Sequence, residues 1–319
     1  VDNGTSVGID ALYNFSKPLF IINEGGKLTI DATSDENMII NGAVLSALGR
    51  LTAGVFQVNG ELVLNGGTIN GGGNLGDNKA INGMFSGAIV LGDSAKFTMT
   101  GGTLRGTSTD GAHSAPVIVG SGAVFSMSGG AIADNYNATK WGDGYAAGAV
   151  LVYGWNNSDV GGKMILSDAA EISGNRTSGV GGAVTLVGNA ELYMNGGVIT
   201  GNQSVGGEDR NGGGVCVAGR TGGMSPTYDA KCVFTMDGGE ISNNSAQYGG
   251  GIYVNSNYVT LNAGEISGNK ARMVGGGVYV ETPHSNSTGL HMSSALITGN
   301  TASVMGGGMY FCPTGSGSL

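Results

Sequence analysis

Apolar and polar residues alternate along most of the chain in runs of three or four, break at glycine, asparagine or serine, and begin again. The stretch from Lys231 to Asn257, KCVFTMDGGEISNNSAQYGGGIYVNSN, contains the unit in full. Alternation in Val233-Phe234-Thr235-Met236 puts Phe234 and Met236 on one face and Thr235 on the other, which predicts a short strand, A. A Gly-Gly pair then turns the chain into Glu240-Ile241-Ser242, strand B with Ile241 alone inward, and Asn243-Asn244 turns it again. Three glycines lead into Ile252-Tyr253-Val254, strand C, where Ile252 and Val254 share one face and Tyr253 takes the other.

One such unit cannot bury its own apolar face. Stacked copies give each strand a parallel neighbour about 4.8 Å above and below, and the inward residues merge into one core. Strand A recurs at Leu62-Val63-Leu64, Phe97-Thr98-Met99, Phe125-Ser126-Met127, Met164-Ile165-Leu166, Leu192-Tyr193-Met194, Val259-Thr260-Leu261 and Leu290-His291-Met292. With the divergent Leu28-Thr29-Ile30, the pattern predicts an all-β solenoid, a parallel β-helix of about nine three-stranded coils. The array runs over residues 19–312; residues 1–18 fit no repeat and are expected to be a cap or linker, and 313–319 a tail leading to further coils or a parent protein. Strand B copies lie 25 to 42 residues apart, so the excess falls in loops.

Composition changes the picture in three places. Glycine at 64 of 319 positions would suggest disorder or collagen, but there is no G-X-Y period and 40% of residues are apolar, so the glycines punctuate strands. A net charge of -9 with no basic stripe argues against nucleic acid as a partner. No apolar run approaches the roughly 18 residues that argue for a membrane span. The chain starts at Val1 with neither a signal-peptide nor a lipidation pattern, which leaves its own targeting open.

Five strand-B isoleucines open the tetrapeptide I-[ST]-[GN]-N, which ends at Asn175, Asn202, Asn244, Asn269 and Asn300. Stacked at one turn, these amides are expected to form a ladder, bonding to one another and to turn backbone. Several lie in N-x-[ST] sequons, but an inward amide is a poor glycosylation acceptor. Met99, Met127, Met194, Met236 and Met292 all end strand A facing inward, where flexible side chains fill a core.

I-[ST]-[GN]-N, the G-G-G-[VIM]-Y-[VF] entry into strand C, and Gly129-Gly130-Ala131-Ile132 together make the chain resemble the right-handed parallel β-helix repeats of bacterial surface adhesins. From about Leu19 to Cys312 it looks like the adhesin-like proteins of gut bacteria. It shares G-G-A-I with polymorphic outer-membrane proteins, although I-x-x-N stands here where those have F-x-x-N. The resemblance implies the right hand of the helix and a secreted, extracellular cell-surface protein. It further implies a non-catalytic adhesin or stalk segment whose partner is a glycan or a host or microbial surface protein.

Loops on a rigid scaffold carry function, and the long ones border strand C, so a groove over the C sheet is the expected binding place. Tyr253, Tyr279 and Tyr310 occupy the outward C positions of the last three coils and are expected to stack as an exposed ladder, suited to sugar rings or a protein. Plain cross-coil stabilisation is the other reading. Tyr136, Trp141, Trp155 and Tyr228 add loop aromatics, either packed back onto the coil or in contact with ligand.

Asp77, Asp110, Asp143, Glu208 and Asp209 form a column of loop acids. Asp110 with Asp143 is a candidate carboxylate pair for a polysaccharide lyase or glycoside hydrolase, and Asp77, Asp110 and Asp143 are candidate Ca²⁺ ligands. Solvated acids with no joint role are the alternative. Arg105 and Lys140 are candidates for a basic catalytic group by position alone, and of His113, His284 and His291 only His113 lies near the acids. Cys216 and Cys232 read as small packing thiols or as a disulfide across the intervening loop. Open helix ends allow a third possibility, self-association into filaments.

Overall fold

The computed structural model describes residues 7–10, 18–33, 38–42, 54–72, 85–110, 113–139, 145–154, 160–205, 211–218, 231–255, 258–281 and 289–312. These form strands and turns with no helix among them, and the strand pairings are parallel throughout. The fold is a parallel β-helix.

Its register follows the inward residues. Leu28, Leu62, Phe97, Phe125, Met164, Leu192, Phe234, Val259 and Leu290 pair in succession down strand A, one residue per coil, giving nine copies of strand A among the described residues. Flat side chains at one position stack directly: the Phe97 and Phe125 rings lie 4.6 Å apart and 6° from parallel. Met99, Met127, Met194 and Met236 are fully buried in the same core, as their inward positions require.

Strands A and B share one 17-stranded sheet, and strand C forms a separate 10-stranded sheet. In Glu191–Thr200 and Val233–Ser242, A and B run on as single strands bent at the Gly-Gly pair. Gly239 has φ +87°, and a Cβ there would lie 2.6 Å from the Gly197 carbonyl oxygen of the coil before. Only glycine lets the coils approach at that bend.

The coil has one more strand than the alternation predicts. A short strand, T, follows the ladder position, held by Thr107 in the first copy and by asparagine in the rest, at Ser108–Thr109, Tyr136–Asn137, Arg176–Thr177, Gln203–Ser204, Ser245–Tyr248, Lys270–Val274 and Thr301–Ala302, making a seven-stranded sheet. Most copies are two residues long, too short for an alternation to register. Near the other end, Val7–Asp10 pairs with Met38–Asn41 in the strand-B position, inside the segment assigned to a cap or linker.

The asparagine ladder is continuous and begins one coil earlier than the tetrapeptide indicates, at Asn135. Each Asn Nδ2 donates to the Oδ1 of the next, at 2.8 Å from Asn135 to Asn175, 2.9 Å from Asn175 to Asn202 and 3.0 Å at each later step through Asn300. The same Oδ1 accepts the main-chain N–H of the previous asparagine at 2.9–3.1 Å. The second Nδ2 hydrogen goes back to a strand-B carbonyl, as from Asn244 to Ile199 at 2.9 Å. Both donors and both acceptor sites of Asn244 are thereby satisfied, which is what permits an amide to be fully buried. The residue before each asparagine takes a left-handed turn, hence Gly174, Gly201, Asn243 (φ 55°), Gly268 and Gly299.

Candidate functional site

The outward positions of strand C pair in register from Val90 through Ile118, Leu151, Thr185, Cys216, Tyr253 and Tyr279 to Tyr310. The tyrosines stack as expected: Tyr253 and Tyr279 are 5.4 Å apart at 14°, and Tyr279 and Tyr310 5.7 Å apart at 2°. They are not an exposed ladder. Tyr253 and Tyr279 are no more than 8% exposed and Tyr310 is partly buried.

The cause lies in the glycine run before the strand. Gly275, at φ +69°, reverses the chain so tightly that a Cβ there would lie 2.7 Å from the Cβ of Tyr279. The residues ahead of that reversal fold over the outer face of the strand they lead into. Val180, Tyr248 and Val274 cluster there with Cys216, Tyr253 and Tyr279, and the Tyr248 ring lies 5.7 Å from that of Tyr279. In earlier coils the cover includes a three-stranded sheet of Phe85–Ser86, His113–Ser114 and Tyr145–Ala146, with Tyr145, Ala115 and Ala147 packed on Val90, Ile118 and Leu151. The expected groove over the C sheet is occupied by the chain itself.

The hydroxyl of Tyr253 donates to the Glu281 carboxylate, and Asn255 Nδ2 donates to the same carboxylate at 3.2 Å. Burial, reinforced by the negative charge of Glu281, pushes the Tyr253 hydroxyl well above its ordinary pKa, so it remains a hydrogen-bond donor.

His113 belongs to the cover and does not face an open acidic site. It is buried, stacked 5.2 Å from the Tyr145 ring, and its Nδ1 accepts the Tyr145 main-chain N–H at 3.2 Å. Burial lowers its pKa from 6.5 to about 4, so the ring is neutral at pH 7. Asp110 is half-buried. Its proposed catalytic partner Asp143, and with it Asp77, Glu208, Asp209, Lys140, His284, Trp141, Trp155 and Tyr228, lie outside the described residues. Among the described residues no three His, Cys, Asp or Glu side chains converge as a metal site. No disulfide joins Cys216 and Cys232: Cys216 sits in the outer cluster beside Tyr253, whereas Cys232 is part of the inner core.

One predicted aromatic is exposed and described. Tyr136, 42% exposed, is in strand T, and its hydroxyl shares a hydrogen bond with Ser178 Oγ at 3.1 Å. In register it is followed by Arg176, Gln203, Ser245, Lys270 and Thr301. Of these only Ser245 is half-buried; the others are exposed. This outward row escapes a search by loop length, because its members sit in short strands. The signal that finds it is an exposed-type residue followed by a small one directly after the ladder asparagine, as in Arg176-Thr177, Gln203-Ser204 and Lys270-Ala271. Arg105 is also exposed, on strand B in register with Asn70 and Ala133.

Compared with protein-family models, with curated proteins and with solved structures, the chain gives no match in any of the three.

Proposed function

We propose that the chain is a non-catalytic segment of an extracellular surface protein, a rigid stalk or adhesin rod that meets glycan or protein through the outward row of strand T. The observation that carries this reading is where the contact-capable side chains remain accessible. The asparagine ladder and the central part of the outer C face are buried in cross-coil contacts, while Tyr136, Arg176, Gln203 and Lys270 stand exposed in one row. A flat aromatic face followed at about 4.8 Å intervals by a guanidinium and an amide, with an ammonium one coil further on beyond the half-buried Ser245, suits the ring faces and hydroxyls of a saccharide. The polar, sparsely charged surface and the resemblance to surface adhesins support the extracellular setting.

The test is a polysaccharide and mucin array with calcium present, scoring both retained protein and cleaved glycan. Retention without cleavage is expected, weakened by Tyr136→Ala or Arg176→Ala with the thermal midpoint unchanged. Cleavage abolished by Asp110→Ala would replace this reading with an enzyme.

A further inference from the structure

We infer that the polymer met by the outward row of strand T is an acidic polysaccharide, its carboxylate or sulfate groups held by Arg176, Lys270 and Arg272. This rests on strand T being the contact row, and adds the charge of what the row contacts.

Charge is sorted around the coil. From Lys163 to Cys312 the described acids other than Glu281 belong to the sheet of strands A and B: Glu171, Glu191, Glu240 and Glu265, with Asp168 and Asp237 where A gives way to B. Strand T carries Arg176, Lys270 and Arg272 and no carboxylate among its described residues. All three cations are exposed, and none forms an ion pair with a described residue, whereas Lys163 on the A–B sheet is bound to Glu191 at 2.9 Å. In a chain of net charge -9, this strip is where a polyanion meets least repulsion.

The ladder turn keeps the cations free. Glu171 and Glu265 stand five residues ahead of Arg176 and Lys270 on the same coils, but buried Asn175 and Asn269 lie between and the chain turns there onto a different sheet. Thr177, Ser204 and Ala271 take the inward positions of strand T and are buried, which leaves Arg176, Gln203, Lys270 and Arg272 pointing out.

Spacing selects the kind of polyanion. Arg176 and Lys270 are three coils apart, about 14 Å at the strand spacing, with Gln203 and Ser245 in register between them. Uncharged hydrogen-bonding residues between cations match a polymer whose anions are separated by hydroxyls. A phosphodiester strand, with a charge about every 3.4 Å, would set phosphates opposite Gln203 and Ser245, which cannot neutralise them. Arg176 offers a planar fork to a carboxylate or sulfate, and Lys270 with Arg272 concentrates charge at the other end.

The test measures retention of the whole chain on immobilised polygalacturonate and its methyl ester, and on dextran sulfate and dextran. Each pair shares a backbone and differs in charge. Retention is expected on at least one acidic polymer, about tenfold or more above its neutral partner, and is expected to fall as sodium chloride rises from ~50 to ~300 mM. Polygalacturonate alone would assign carboxylate groups, and dextran sulfate alone sulfate. R176Q and K270Q are each expected to lower that retention about tenfold with the thermal midpoint unchanged. K96Q, which removes an exposed cation from the A–B sheet, is expected to leave it unchanged. Equal retention on charged and neutral partners, weakened by Tyr136→Ala and not by R176Q, would keep strand T as a saccharide row and overturn the acidic ligand. An equal loss with K96Q would overturn it as well, since overall charge would then be the cause, and so would duplex DNA held as tightly as the acidic polysaccharide. Absence of retention on all four polymers overturns the inference, and the polysaccharide and mucin array decides whether the strand-T reading falls with it.

Discussion

Between Val90 and Tyr279 the inner and outer faces of strand C are both buried, and they are built differently. On the inner face every central coil carries aliphatic residues, such as Val117 and Val119, Val150 and Val152, Ile252 and Val254, and all are fully buried. Their neighbours are the same positions of adjacent coils, so one solution repeats. On the outer face the residue type changes along the axis because the cover changes. Leu151 lies under Tyr145, Thr185 donates its hydroxyl to the Ala146 carbonyl at 2.7 Å, and Tyr279 meets the ring of Tyr248. Burial by a repeating partner leaves a periodic sequence. Burial by segments of varying length does not.

The sharpest way to break this comparison is a matched pair of truncations. Phe125→Ala, in the inner core, is expected to cost about 3–5 kcal/mol in chemical denaturation. Leu151→Ala, on the outer face, is expected to cost about 2–5 kcal/mol, where an open sheet surface would give less than about 0.5 kcal/mol. Next is Asn244→Ala. It strips the acceptor from two Asn202 donors and leaves the Ile199 carbonyl without its partner, for a loss on the order of 3 kcal/mol.

The cover itself is expected to respond to acid through His113. Its folded pKa, about 4, lies below the ordinary 6.5, so the unfolded chain binds the proton more readily. The contribution is fully present above pH 6.5 and is lost as pH falls towards 4, by up to about 3 kcal/mol. His113→Phe retains an aromatic ring beside Tyr145 without a titrating group. The difference between parent and variant across a pH series of urea melts isolates the effect, and a pH-independent difference would place His113 outside the buried cover. Tyr253→Phe is the mildest change, removing one charge-assisted hydrogen bond to Glu281 for about 1.5–3 kcal/mol. The same melts measure it.

Much of the fold was legible because inward positions repeat in kind and spacing: Phe97, Phe125 and Phe234 announce strand A, and the isoleucine with its asparagine announces strand B and the ladder. Asn135 was hidden because Ile132-Ala133-Asp134-Asn135 departs from the tetrapeptide at its second and third residues, although Asp134 adopts the same left-handed turn at φ 54°. Strand T was hidden by its length. The outer face misled for a physical reason: alternation reveals that Tyr279 points away from the inner core, but it does not reveal that Gly275 folds the preceding residues over it. A positive-φ glycine four residues ahead of the tyrosine, as at Gly249, Gly275 and Gly306, is the mark of that reversal. The exposed row headed by Tyr136 became visible only once strand T was placed.

The most direct test of burial on the outer face of strand C uses the chain's own thiols. Cys216 lies in the outward row between Thr185 and Tyr253, Cys232 lies in the inner core, and Cys312 is partly accessible. Burial pushes the Cys216 thiol well above its ordinary pKa and that of Cys232 up to about 12, which further slows reaction. Native protein treated briefly with a maleimide and mapped by peptide mass spectrometry should be labelled at Cys312, with Cys216 and Cys232 protected until denaturant is added. Labelling of Cys216 in the native protein as fast as in the unfolded chain would mean that the outer face is open, and would return the binding groove to the C sheet.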